Sequence, residues 1–143
     1  MADIFHTLQV RATASNVFAA ISTPAGLDAW WGDETTGEVI TGGPFLFHFR
    51  PSHDWRAIVL RIQRDELFEL EFVDADADWT GSKVSFRLKA NGTVTTLEFS
   101  HTGWKEMNEH FRISSYCWAM YLRLLKRYVE FGEEVSYPER LQA

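Results

Sequence analysis

NEHFRISSYCWAMYLRLLKRYVEFG, residues Asn108 to Gly132, is the stretch that decides the fold. It has no proline, and its single glycine is the last residue. Phe111, Ser115, Trp118, Leu122, Leu125 and Val129 recur at three- and four-residue steps, which lines them along one side of a helix. Arg112, Arg123, Lys126, Arg127 and Glu130 fall mostly off that stripe. Gly132 stands where a helix C-cap is expected. The spacing predicts one helix from Asn108 to Phe131, roughly 33 Å long at about 1.5 Å per residue. An apolar stripe of that length needs a surface to bury it.

The preceding stretch, Thr35 to His101, supplies the surface, because its period is two. Thr36 to Ile40 is a short strand. From Pro44 to Arg50, Phe45, Phe47 and Phe49 alternate with Leu46 and His48. Trp55 to Gln63 is the next strand. From Leu67 to Val73, Phe68, Leu70 and Phe72 alternate with Glu69 and Glu71. Val84, Phe86 and Leu88 then alternate with Lys83, Ser85, Arg87 and Lys89. Asn91-Gly92 is a hairpin turn. The last strand, Thr93 to Thr102, puts Thr95, Leu97, Phe99 and His101 on one face. One apolar and one polar face is the pattern of an antiparallel meander covered on one side. Upstream, Ile4 to Arg11 is extended, and Ser15 is suited to cap a short helix carrying Val17, Phe18 and Ile21. Thr23-Pro24 opens a second short helix with Leu27, Trp30 and Trp31. The expected fold is α+β: an antiparallel sheet of six to seven strands wrapped around a long C-terminal helix, with two short helices after the first strand. It forms a single domain over residues 1–143.

The totals narrow the function classes. Aromatic residues make up 15% of the chain, with eleven Phe and six Trp, which suits a thick core or a ligand pocket. A net charge of −6 repels phosphate backbones and anionic lipid surfaces, so neither nucleic acid nor a membrane surface is an expected partner. No apolar run is long enough to span a bilayer, and no secretory leader pattern is present. Cys117 is the sole cysteine, so no internal disulfide forms, and a cytoplasmic location is expected. No dense His/Cys spacing suggests a metal, and no cofactor is expected.

The order of elements, with VFAAISTP (Val17 to Pro24), Trp30-Trp31, Gly42-Gly43 before Phe45 and Phe47, HTGW (His101 to Trp104) and WAMYLRLLKRYVE (Trp118 to Glu130), resembles the helix-grip fold of the START-like superfamily. Within it, the chain is similar to the family related to the C-terminal domain of the activator of the Hsp90 ATPase. The resemblance implies a cavity between sheet and long helix. Relatives bind lipids, steroids or aromatic compounds, some cyclise polyketides, and others assist a chaperone. Cys117 departs from the family, which often has Gly there, and a larger side chain would shrink the cavity.

Such a cavity would be lined by Trp30 and Trp31 near its mouth and by Phe45, Phe47, Phe72, Phe86 and Phe99 on the sheet. Ser115, Trp118, Tyr121 and Leu122 would line its helix side, and His101 the last strand. Each has a packing alternative: the rings serve a core whether or not a ligand binds, and His101 could instead hold a backbone group beside the HTGW turn. Asp74, Asp76 and Asp78 read as a solvated loop, and His6, His48, His53 and His110 as exposed or capping residues. The expected function is binding of a small hydrophobic or aromatic ligand. A cyclase or hydrolase using His101 is the alternative, on a thin set of inward acid–base groups; no catalytic residue is assigned. A co-chaperone-like interaction module is a third. Homodimerisation stays open, since small domains of this family often pair.

Overall fold

The computed structural model describes residues 2–142. Seven strands form one antiparallel sheet: β1 (Ala2–Val10), β2 (Glu34–Gly37), β3 (Pro44–Phe49), β4 (His53–Gln63), β5 (Leu67–Asp74), β6 (Lys83–Asn91) and β7 (Val94–Trp104). Their spatial order is β1-β7-β6-β5-β4-β3-β2. Consecutive strands from β2 to β7 are therefore neighbours, and β1 closes the far edge against β7. Between β1 and β2 lie two short helices, α1 (Ala14–Ser22) and α2 (Pro24–Asp28). The long helix α3 (Glu109–Phe131) follows the sheet. The fold is α+β, a sheet gripping a helix.

The alternation in the sequence decides which face grips. Phe45, Phe47, Leu70, Phe72, Val84, Phe86, Leu97 and Phe99 are all buried, while their strand neighbours are exposed or half-buried. Register irregularities in β4, between Arg56 and Ala57 and between Val59 and Arg61, are bulges of the kind that increase local bend and twist. The ends of α3 are specified locally. The Asn108 side chain accepts from the Phe111 amide at 2.9 Å, and Gly132, at φ 71°, ends the helix with a bond from its amide to the Tyr128 carbonyl.

Three local expectations shift. Thr13, not Ser15, caps α1, with its hydroxyl accepting from the Asn16 amide. The second strand is Glu34–Gly37 rather than Thr36 to Ile40, because Thr35 pairs with Phe47 and Ile40 is left exposed in the connection to β3. The serine buried under α3 is Ser114, while Ser115 is half-buried and its carbonyl accepts from His6 Nε2. Ser114 and Ser115 lie three and four residues after Phe111, so either fits a 3.6-residue stripe.

The polar tail is also more structured than its composition suggests. Tyr137–Gln142 forms a 3₁₀ segment. Arg140 there is buried and donates to the carbonyls of Val135, Gly32 and Asp28 at 2.9, 2.6 and 2.7 Å. Three carbonyl acceptors compensate the guanidinium for leaving water, and they pin the tail to the end of α2. No helix among the described residues is long and apolar enough to cross a membrane.

Candidate functional site

One end of the grip is open. The amino-terminal half of α3, the start of β4 and the loop between β5 and β6 stand apart there. Between them lies a cleft of about 320 Å³, within the usual range for small-molecule sites. Four of the six tryptophans face it: Trp31 just after α2, Trp55 on β4, Trp79 in the β5–β6 loop and Trp118 on α3. The rings touch in a chain, with centroids 4.9 Å apart for Trp31–Trp118, 4.9 Å for Trp55–Trp79 and 5.9 Å for Trp79–Trp118. Phe49 and Tyr137, 5.9 Å apart, extend the wall into the tail.

Along α3, His110, Ser114, Cys117, Trp118 and Tyr121 reach the cleft, because steps of three and four residues return to one helix face. Burial pushes the Tyr121 hydroxyl up to about 12 and raises the Cys117 thiol as well. At neutral pH both stay protonated, so Tyr121 offers a hydrogen bond and Cys117 is no nucleophile. Cys117 forms part of the wall of a cleft that remains open.

Behind the tryptophans sits His101. Trp118 Nε1–H donates to its Nδ1 at 3.1 Å, which puts the imidazole proton on Nε2. Nε2–H then donates to Ser82 Oγ at 2.8 Å, and Ser82 donates to the Trp79 carbonyl at 2.6 Å. Burial, with a smaller contribution from His110, lowers the His101 pKa to about 3. The ring is neutral, fully buried and occupied at both nitrogens, so it fixes Trp118 and the Trp79 loop in place.

The polar groups open to solvent lie at the rim. His110 Nδ1–H donates to Asp78 Oδ2 at 2.8 Å, and this bond holds the Asp78 carboxyl below the ordinary carboxylate range. Asp76, also on the rim, makes no side-chain hydrogen bond or ion pair among the described residues. One ligand atom from each of Asp76, Asp78 and His110 lies within 4.8 Å of the others, the sole grouping of that kind among the described residues that could hold a metal ion.

Of the residues expected to line a pocket, the cleft brings together Trp31, Trp118 and Tyr121. Trp30 lies deeper, its indole donating to the Ala20 carbonyl at 2.9 Å. Phe45, Phe47, Phe72, Phe86, Phe99 and Leu122 pack in the core. Ser115 lies toward β1. Phe49, Trp55, Trp79, His110 and Tyr137 were not singled out from sequence as pocket residues. The one available signal was Trp79, a large ring inside the acidic loop DADADWTG.

The family model for activator of Hsp90 ATPase homolog 1-like proteins matches residues 11–130. The chain belongs to that family. Among curated proteins, none matches the sequence. Solved structures share the family member's fold. The Aha1 dimer from Colwellia psychrerythraea has a TM-score of 0.83 at 24% identity, covering 93% of this chain and 99% of that one. Protein MLL2253 from Mesorhizobium loti has a TM-score of 0.82 at 14% identity, covering 92% and 99%. CalU16 from Micromonospora echinospora has a TM-score of 0.74 at 22% identity, covering 98% and 80%. At these identities the likeness is one of fold.

Proposed function

We propose that this protein binds a small, flat, largely apolar molecule in the cleft between α3 and the open end of the sheet. The observation that carries the proposal is the wall of Trp31, Trp55, Trp79 and Trp118 around about 320 Å³. Trp31, Trp79 and Trp118 also pack in the core, yet they border the same opening as Trp55, and rings at an opening suit stacking on a flat ligand. The His101–Ser82–Trp118 bonds support the reading, because a rigid wall loses less entropy on binding. They also leave His101 no free nitrogen for acid–base work, which favours binding over a cyclase or hydrolase built on that residue. The single unpaired cysteine is consistent with a cytoplasmic setting.

Thermal-shift and native mass-spectrometric screens against planar aromatic compounds test the proposal. Stabilising hits that vanish in Trp118→Ala or Trp79→Ala support it. A panel without a single binder would count against it.

Pairing of two copies is a second proposal, supported by the dimer solved for the Colwellia relative. On the outer face of the sheet, Leu46 and Val73 are exposed and line one groove with Ile58. Sedimentation equilibrium of the wild type and of Leu46→Glu would read the outcome: a dimer dissociated by the substitution supports this surface, and a wild-type monomer refutes it.

A further inference from the structure

The charge at the rim narrows the ligand class. We propose that the preferred occupant of the tryptophan cleft carries a positive charge, as an amine or quaternary ammonium group attached to a flat apolar body. This rests on the cleft being a binding site, as proposed above, and goes further by naming the head group.

Three features point the same way. First, no lysine or arginine lines the cleft. The guanidiniums of Arg50 and Arg140 stand 5.9 and 5.8 Å from the ring centre of the lining residue Tyr137. Each is already engaged, Arg50 with the Asp33 carboxylate at 2.7 and 2.8 Å and Arg140 with three carbonyls. An anionic head group therefore has no free partner among the lining residues.

Second, the rim has carboxylates. Asp78 is shared among His110, Asn108 and the neighbouring Lys105 ammonium, which itself bonds to the Ala77 carbonyl. Asp76 lacks such a partner among the described residues, so its charge is free to face an incoming cation. His53 and His110 also border the opening and would oppose a cation if protonated, so the preference is tested on the alkaline side of neutrality.

Third, the walls are built from four indole rings. Indoles attract cations more strongly than other aromatic side chains, and cages of several rings are a recurring means of holding ammonium groups in place of their water. The free carboxylate shares the β5–β6 loop with Trp79, while Trp31, Trp55 and Trp118 come from other elements, so three of the four indoles are placed independently of it. Both favour the same head-group charge.

A charge series on one ring system tests this. A naphthylmethyl trimethylammonium ion, neutral naphthylmethanol and anionic naphthylacetate are titrated by calorimetry at about pH 8, above the ordinary imidazole range. The expected order is cation, then neutral, then anion, with the cation bound at least about tenfold more tightly than the alcohol. Asp76→Asn, at an exposed position, should narrow that gap, and added salt should narrow it too. If the alcohol or the acetate binds as tightly as the cation, the head-group assignment fails while the binding site stands. If none of the three binds, both fall. A gap unchanged in Asp76→Asn would overturn the role given to that carboxylate.

Discussion

Two histidines pack against Trp104, and they have opposite lives. His101 is 5.0 Å from that ring and His110 is 5.3 Å from it, centre to centre. His101 is sealed inside, neutral, and bonded at both nitrogens. His110 is part-exposed and bonded to a carboxylate at the edge of the cleft. The same side chain thus serves as a structural bracket when water is excluded and as a rim group when it is admitted. The difference teaches that an inward-facing imidazole beside a pocket is not thereby a reactive one. Its hydrogen-bond partners decide.

The sharpest way to break the bracket is to remove the ring it holds. Trp118→Ala should destabilise the protein by about 4 kcal/mol, since it empties a large buried volume and leaves His101 Nδ1 without its donor. Urea unfolding would show this as a lower midpoint. A loss under about 1 kcal/mol would mean that Trp118 is not part of the core.

The bracket also carries a pH signature. The folded pKa of His101 is about 3, against 6.5 for an unburied imidazole. Below about pH 6.5 the unfolded chain takes up a proton that the folded chain refuses. The contribution of His101 is therefore complete above 6.5 and is lost at up to about 1.4 kcal/mol per pH unit as the pH falls toward 3. Carboxylates add their own acid dependence, so the comparison is with His101→Gln. The stability gap between wild type and variant should shrink on acidification. Parallel curves would remove the assigned burial effect.

Arg140 tests the tail on the other side of the cleft. Arg140→Ala removes three hydrogen bonds from a buried charged donor and should cost about 2 kcal/mol. It should also speed proteolysis after Gly132, because those bonds tie the segment to the end of α2. At the rim, His110→Ala should change stability by less than about 1 kcal/mol, as expected for a part-exposed side chain with one hydrogen bond at the surface. If His110→Ala cost as much as Trp118→Ala, the contrast between bracket and rim would collapse.

These effects also show where sequence reasoning reaches and where it stops. Two periodicities made the grip legible: Phe45, Phe47 and Phe49 at steps of two, and Phe111, Trp118, Leu122 and Leu125 at helical steps. The inward placement of His101 followed from Leu97 and Phe99 on the same strand. Its partners did not, because Ser82 lies 19 residues away and Trp118 lies 17 residues away on a different element. The cleft was least legible. Phe49 and Trp55 flank a hairpin turn, Trp79 sits in a loop, and Tyr137 lies in the polar tail. No period links such positions, and only closure of the chain brings them together. The acidic loop gave no sign that Asp78 would meet His110, 32 residues later.

The indole N–H signals of the six tryptophans, followed by ¹H–¹⁵N NMR during titration with a planar aromatic ligand, test the central claim most directly. The account predicts shifts for Trp31, Trp55, Trp79 and Trp118, with Trp30, whose indole is tied to the Ala20 carbonyl, nearly unmoved. Saturable binding that shifts Trp30 and leaves those four in place would contradict it.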